Sequence, residues 1–296
     1  MNKNLKRLEE ESISIIRNTL SEAENPVVLY SVGKDSSVLL HLFRKSFYPA
    51  EIPVKFLHID TGWKFSEMIT FRDKIIKKYN LNFEVFTNLE GQKKDVNPFN
   101  NSKYTDIMKT KALKDALSIG QYDFIYGGAR RDEEASRSKE KIVSHRDSKN
   151  NWNPTNQRIE PWNIFNVQKL TGESFRVFPL SNWTEINIWQ YIKQEKIEIV
   201  DLYFSKLRSV VKRENQYFLL DDDRFEIQDD DKVFKEKVRF RTLGCYPLTA
   251  GVKSNADTLT KVISEVYSSN YSERSGRLID FDKLGSMEMK KREGYF

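Results

Sequence analysis

The chain has 296 residues, of which 39% are hydrophobic, 12% aromatic and 31% charged, a composition typical of a globular protein with a packed core. Its 49 basic and 43 acidic residues give a net charge of +6 that is spread along the chain, so the charge predicts no nucleic-acid binding. The single cysteine, Cys245, cannot form an internal disulfide. One cysteine and three histidines also leave little for a structural zinc site.

The sequence offers no candidate for a membrane anchor. No run of residues approaches the roughly 20 apolar positions that are needed to cross a bilayer. The first residues enter a charged amphipathic pattern directly, without the apolar segment and cleavage site of a secretory signal. We therefore predict a soluble, cytoplasmic protein.

Helical and strand patterns alternate along the first half of the chain. Strands that alternate with helices predict an α/β fold, in which a parallel twisted sheet carries helices on both faces. Ligands of such folds bind at the carboxyl ends of the strands, where the loops gather. The predicted helices are 5–20, 38–47, 65–79 and 104–118, and the predicted strands are 27–30, 54–59, 83–87 and 124–126.

The character of the sequence changes after about residue 145, where tryptophan, asparagine and proline become frequent. A further strand is predicted at 176–179 and a helix at 184–196. We divide the chain into an α/β domain at residues 1–200 and a C-terminal extension at 201–296.

The extension begins with a predicted exposed hairpin at residues 205–238. Two aspartate triplets in it, 221–223 and 229–231, suggest either a metal site or solvated turns. We prefer solvated turns, because Arg224 and Lys232 stand beside the carboxylates.

Residues 31–36, with the sequence SVGKDS, lie between a predicted buried strand and a predicted helix. The unpaired N–H groups at a helix N-terminus bind phosphate readily. Gly33 allows the backbone to approach an anion closely, and Lys34 adds a positive charge. Ser31 and Ser36 offer hydroxyl donors. An ordinary capped turn is the alternative, but the flanking strand and helix favour a phosphate-binding loop.

Asp35 is unusual in a loop that binds phosphate, because a carboxylate repels phosphates unless it caps the helix or holds Mg²⁺. The loop also differs from a Walker A loop, which requires a glycine five positions before the glycine-lysine pair, where Val28 stands.

The loop resembles the pyrophosphate-binding loop of the N-type ATP pyrophosphatases, which cleave ATP between the α and β phosphates. Further segments resemble one family within that superfamily, the small, ATP-binding subunits of bacterial sulfate adenylyltransferases, and the likeness spans nearly the whole chain. Those segments are 58–65 (HIDTGWKF), 127–134 (GGARRDEE), 176–185 (RVFPLSNWTE), 239–249 (RFRTLGCYPLT) and 293–296 (EGYF).

The resemblance implies an adenine nucleotide alpha hydrolase-like fold related to phosphoadenylyl sulfate reductases. It implies that sulfate attacks the α-phosphate of ATP and releases pyrophosphate, as the first step of sulfate activation. It further implies Mg²⁺ with ATP, and a separate GTPase subunit whose GTP hydrolysis is coupled to adenylyl transfer.

Two more loops carry candidate ATP-binding residues. The loop after the second strand contains His58, Asp60 and Thr61, which can contact the nucleoside. Asp60 and Asp35 are both candidate ligands for Mg²⁺. Gly127 and Gly128 end a strand and suggest a close approach of backbone to ligand.

Arginines supply the candidate catalytic cations beside Lys34. Arg130 and Arg131 follow the glycine pair, and such guanidinium groups suit sulfate or the α-phosphate. Ion pairing with the carboxylates at 132–134 is an equally good interpretation for either of them, and Arg137 is a weaker third candidate. Two late residues, Arg239 and Arg241, are candidate phosphate contacts. Cys245 is predicted to be a buried small residue, because nothing nearby in the sequence would lower the pKa of its thiol.

Three other functions compete with this interpretation. A phosphoadenylyl sulfate reductase would need a redox cysteine in a mobile tail, and Cys245 instead lies within an apolar segment. An RNA-modifying adenylating enzyme would need a basic RNA-binding region. A nucleotide-sensing partner protein would retain ATP without exchanging pyrophosphate.

Overall fold

The computed structural model describes residues 2–133, 135–214 and 216–269. The resembling segment at 293–296 lies outside these described residues. Within them, no helix has both the length and the apolar character needed to span a membrane.

The structure contains two sheets with helices packed around the first. The helices are α1 (Lys3–Leu20), α2 (Lys34–Phe47), α3 (Ser66–Tyr79), α4 (Leu89–Lys93), α5 (Ala112–Gly120), α6 (Ala135–Ser138), α7 (Glu185–Glu195) and α8 (Leu259–Ser268). The strands are β1 (Pro26–Leu29), β2 (Lys55–Ile59), β3 (Phe83–Phe86), β4 (Phe124–Tyr126), β5 (Val143–Arg146), β6 (Ser174–Val177), β7 (Lys206–Arg213), β8 (Gln216–Leu219), β9 (Val233–Arg239) and β10 (Val252–Lys253).

The first sheet has six strands in the order β3-β2-β1-β4-β6-β5. Strand β1 lies in the middle and pairs in parallel with both β2 and β4. The chain therefore leaves β1 toward one edge of the sheet and returns on the other side at β4. A crevice forms at such a reversal, beyond the carboxyl ends of the two strands, and ligands of open α/β sheets bind there.

The predicted α/β fold with a parallel sheet is confirmed, and the edge strand β5 departs from it because it pairs antiparallel with β6. Successive side chains of β1 point to opposite faces of the sheet, which explains why both faces of the sheet carry helices. Val28 packs in the main core, which includes residues of α1, α2 and α7. Val27 packs on the opposite face, in a smaller core with Leu57, Ile125 and residues of α5.

One helix differs in its geometry from the predicted helix at 104–118. Residues Asp106–Lys111 form a wide π-helical turn, and α5 follows directly as a regular α-helix. Such turns are rare and are found frequently at functional sites. Helix α7 begins as predicted near residue 184, where the Thr184 side chain caps it in a reciprocal arrangement with Asn187.

The predicted hairpin at 205–238 is larger than expected. Strands β7, β8 and β9 join β10 in a four-stranded antiparallel sheet of order β10-β9-β7-β8. The boundary at residue 200 stays a prediction.

Three of the six aspartates in the two triplets are engaged by neighbouring groups. Asp222 pairs with Arg224 at 2.6 Å, and Asp231 pairs with Arg213 at 2.6 Å. Asp221 accepts a hydrogen bond from the backbone N–H of Ser66, at the start of α3. No cluster of three or more metal-ligating side chains occurs among the described residues.

Candidate nucleotide site

A pocket of about 220 Å³ lies at the carboxyl ends of β1, β2 and β4, at the reversal of the strand order. Its walls come from the loops that follow these strands, from the turn before α5 and from residues beyond 200. The lining residues are Leu29, Tyr30, Ser31, Gly33, Lys34, Asp35, Ser36, Leu57, His58, Ile59, Lys64, Met68, Lys109, Leu113, Gly127, Gly128, Ala129, Glu133, Arg137, Tyr203, Thr242, Leu243 and Gly244.

The loop 31–36 bends sharply between β1 and α2. Val32 takes a left-handed conformation (φ 67°), which is uncommon for a β-branched residue and indicates a conformation that the surrounding structure holds in place. Gly33 is the N-cap of α2 and makes no side-chain capping bond. The backbone N–H of Lys34 donates to the hydroxyl of Tyr203 at 2.8 Å. The start of α2 therefore faces the pocket with its backbone fixed from outside the loop.

A buried ion-pair network lies beside the loop. Arg130 donates through Nε to Asp35 Oδ1 at 2.7 Å, and Lys34 Nζ donates to Asp35 Oδ2 at 3.1 Å. Burial alone would raise the pKa of the Asp35 carboxyl, but the charges of Lys34 and Arg130 outweigh burial and lower the pKa to about 2. Asp35 is therefore ionised at neutral pH and holds both cations.

Gly128 brings the loop after β4 against the start of α2. A Cβ at this position would lie 3.1 Å from the backbone carbonyl carbon of Asp35. Because that neighbour is backbone, it cannot move aside as a flexible side chain could. The absence of a Cβ at position 128 therefore favours the close approach of the two loops.

His58 presents an unsatisfied acceptor at the ends of β1 and β2. Its Nδ1 lies 2.8 Å from the backbone carbonyl oxygen of Tyr30, so Nδ1 carries the proton that is donated there. Burial and the charge of Lys64 lower the pKa of His58 to about 4, so the ring is neutral at pH 7. Its Nε2 is buried and has no hydrogen-bond partner among the described residues. A ligand that offers an N–H or O–H group would satisfy it.

Several predicted site residues lie outside the lining of this pocket. Asp60 accepts from the backbone N–H of Gly62 at 2.8 Å and from Arg72 at 3.4 Å. Thr61 is fully buried, and its Oγ1 lies 3.6 Å from the Cys245 sulfur.

The predicted arginines also lie behind the pocket wall. Arg130 is 1% exposed, and Arg131 donates to Asn182 Oδ1 at 2.6 Å. Arg239 pairs with Glu265 at 2.7 Å, and Arg241 pairs with Glu185 at 3.2 Å. Arg137, the weaker candidate, does line the pocket and pairs with Glu133 at 3.5 Å.

Sequence reasoning missed three polar groups of the pocket. Lys64 stands in a segment that resembles the family, but its residue type alone gave it no role. Lys109 and Tyr203 lie in a helical turn and in a short 3-10 turn, where a lone lysine or tyrosine is usually a surface or core residue. Only the fold brings them to the pocket.

Cys245 is buried, as predicted, but the reason given for its inertness is wrong. Burial alone would raise the pKa of its thiol, and the charges of Lys64 and Lys109 outweigh burial and lower the pKa. These lysines are remote in sequence, which is why the sequence gave no sign of them.

Comparison with known proteins assigns the chain to a family. Residues 25–251 match the family described as the phosphoadenosine phosphosulfate reductase domain. Proteins named sulfate adenylyltransferase subunit 2 match over 99% of this chain and 97% of their own length. The protein of Acinetobacter baumannii (strain AYE) is 56% identical, and that of Vibrio cholerae (strain O395) is 55% identical.

A solved structure supports the fold alone. The Candida glabrata FMN adenylyltransferase in complex with ATP superposes with a TM-score of 0.51 at 15% identity, covering 93% of this chain and 88% of the other. The sequence matches carry the family assignment. The chain belongs to the phosphoadenosine phosphosulfate reductase domain family and, within it, to the family of sulfate adenylyltransferase subunit 2, whose members are nucleotidyltransferases.

Proposed function

We propose that this chain is the ATP-binding catalytic subunit of a sulfate adenylyltransferase. Sulfate attacks the α-phosphate of ATP in line with the leaving pyrophosphate, and adenylyl sulfate forms. The observation that carries the proposal is the loop 31–36, which lies against Gly128 and lines a pocket at the strand-order reversal. A loop at a helix start suits the pyrophosphate that leaves in this reaction.

In this proposal the loop 31–36, with Gly127 and Gly128, surrounds the β and γ phosphates, and Lys34 neutralises charge that develops on pyrophosphate. The nucleoside lies at the ends of β1 and β2, where an N–H or O–H group of adenosine donates to His58 Nε2. Asp35 fixes Lys34 in the pocket, and Arg130 acts through Asp35 as a positioning residue. The remaining predicted residues, Asp60, Thr61, Arg131, Arg239 and Arg241, hold the surrounding loops.

Asp35 also fits the Mg²⁺ that accompanies ATP. It lines the pocket and is ionised, and a carboxylate has lone pairs beyond the two that Lys34 and Arg130 use. Bound Mg²⁺ would supply positive charge to the phosphate oxygens.

The reaction needs positioning and charge stabilisation rather than proton transfer. Sulfate carries no proton at neutral pH, so a general base would have nothing to remove. His58 agrees with this, since a ring whose pKa is about 4 is a weak base and carries no imidazolium proton to donate at pH 7. Orientation of two bound reactants is itself a large contribution to rate.

We further propose that a GTPase subunit assembles with this chain in the cytoplasm and couples GTP hydrolysis to adenylyl transfer. The name "subunit 2" of the relatives implies a complex of several subunits. Adenylyl sulfate is a mixed anhydride that is less stable than the bond broken to form it, so forward flux requires product removal or coupling. Coupling requires that the partner bind some states of this subunit better than others.

Sulfate-dependent release of pyrophosphate from ATP tests the proposal. We expect release that requires both ATP and sulfate, and we expect adenylyl sulfate as the second product. ATP binding without any sulfate-dependent exchange of pyrophosphate would instead favour a nucleotide-sensing protein. Thioredoxin-dependent release of sulfite from phosphoadenylyl sulfate would favour a reductase.

A further inference from the structure

The pocket carries more positive than negative side chains. Four cationic side chains and two carboxylates line it among the described residues, since His58 is neutral. Asp35 is engaged by Lys34 and Arg130, and Glu133 pairs with Arg137. Neither carboxylate is paired with Lys109, so this lysine adds positive charge to the pocket.

Lys109 is held at the pocket by its helical context. It lies in the π-helical turn Asp106–Lys111, and its neighbour Met108 packs against Tyr104 and Cys245. Leu113, four residues later, lines the same pocket and packs on the sheet in the smaller core. Within residues 2–133, 135–214 and 216–269, the Lys109 ammonium group has no hydrogen bond or ion pair.

Lys64 and Lys109 occupy the same part of the pocket. Trp63 and Met108, the chain neighbours of Lys64 and Lys109, pack in one cluster with Cys245, and both lysine charges act on its thiol. A nucleophile in an in-line displacement approaches from the side opposite to the leaving group. If the loop holds pyrophosphate, sulfate must approach from another wall.

The arginines expected to bind sulfate are badly placed for it. The Arg130 side chain has no exposed surface and is committed to Asp35 and Asp132. Arg131 does not line the pocket and is bonded to Asn182. Neither guanidinium group can reach a substrate in the pocket without breaking these contacts.

We propose that Lys109 binds the sulfate dianion, with Lys64 beside it, on the wall of the pocket formed by the turn Asp106–Lys111. The inference rests on the proposed function and adds the position of its second substrate. A lysine ammonium offers three donors to a tetrahedral oxyanion. Loss of such a charge-assisted contact lowers affinity by about 10- to 100-fold.

The test compares Lys109→Gln with Lys111→Gln, using whatever subunits purify with the chain. Lys111 lies in the same turn but is half exposed and pairs with Asp115 at 3.1 Å, so it controls for effects on the turn itself. The rate measured is sulfate-dependent exchange of labelled pyrophosphate into ATP, which needs no accumulation of product. The dissociation constant for ATP is measured separately, without sulfate.

We expect Lys109→Gln to raise the KM for sulfate about 10- to 100-fold while the Kd for ATP stays within about twofold. Lys109→Arg should recover most of the sulfate affinity, and Lys111→Gln should match the wild type. An unchanged KM for sulfate, or an equal rise in Lys111→Gln, overturns the inference. A raised Kd for ATP with an unchanged KM for sulfate also overturns it, because the lysine would then serve the nucleotide. Wild-type protein that shows no sulfate-dependent exchange refutes the proposed function instead.

Discussion

Replacing Arg130 with methionine tests whether the ion-pair network beside the loop is structural. The Arg130 side chain is fully buried, and Asp35 is 25% exposed. Removing one partner of a buried ion pair typically costs about 3 to 5 kcal/mol, because the other charge is left uncompensated. Asp35 keeps Lys34 and some contact with water, so we expect a loss near the lower limit, about 3 kcal/mol of unfolding free energy.

Urea denaturation at pH 7 measures this loss, with Arg131→Met as the matched control. Arg131 is the adjacent arginine, lies outside the pocket lining and bonds to Asn182, so its replacement should cost no more than about 1 kcal/mol. The double variant Asp35→Asn/Arg130→Met should lose less stability than the sum of the two single variants, by at least about 1 kcal/mol, because the two residues interact directly.

The pH dependence of stability gives an independent measure. The pKa of Asp35 is lowered from 3.8 to about 2 in the folded protein, so the carboxylate stabilises the fold above pH 3.8, and that contribution is lost as the pH falls toward 2. This lowering of the pKa corresponds to roughly 2 kcal/mol of unfolding free energy. In Arg130→Met this acid-dependent loss should shrink. Two results would refute the reasoning about the network. One is a double variant whose loss of stability equals the sum of the two single losses. The other is an Arg130→Met variant that loses as much stability in acid as the wild type.

Three other predictions concern the loop and the partner. Lys34→Ala should raise the Kd for ATP about tenfold or more while the protein still unfolds cooperatively; calorimetry that finds an unchanged Kd would remove the lysine from the phosphate site. Gly33→Ala should fold, because its Cβ would lie 3.5 Å from Ser31 Oγ, an ordinary contact. Gly128→Ala should lower the free energy of unfolding by about 1 to 3 kcal/mol, because its Cβ would lie 3.1 Å from the Asp35 backbone. Urea denaturation measures both, and equal midpoints for the two variants would contradict this prediction. The chain alone should bind ATP yet accumulate little adenylyl sulfate, and a GTPase subunit with GTP should raise the yield; equal accumulation with and without the partner, in the absence of pyrophosphatase, would contradict coupling.

The parallel part of the fold could be predicted because local patterns decide it. Short apolar runs such as 27–30 alternate with amphipathic segments, and each run became a strand within one or two residues of its predicted ends. The antiparallel edge strand β5 was missed because Val143–Arg146 contains no run of apolar residues. Its pairing with β6 depends on the tertiary fold, as strand propensity often does.

In the candidate site, too, some features follow from local sequence patterns and others depend on the tertiary fold. The loop 31–36 and the glycines at 127 and 128 were visible because their chemistry and their position after strands coincide in the sequence. The charge state of the site was not visible, since Asp35 and Arg130 are 95 residues apart and meet only in the fold. Lys109 gave no signal either, because a lysine in a helical pattern is usually solvated.

Residues beyond position 200 complete the pocket rather than merely follow it. Tyr203 accepts the backbone N–H of Lys34, and its ring packs against Trp189 of α7 at 5.3 Å between centroids. The backbone N–H of Phe240 donates to the carbonyl of Leu202 at 2.8 Å, so the second sheet is joined directly to the turn that carries this tyrosine. A shift of that sheet would move the hydroxyl that fixes the start of α2. The position of the second sheet and the geometry of the loop 31–36 are therefore linked through Tyr203.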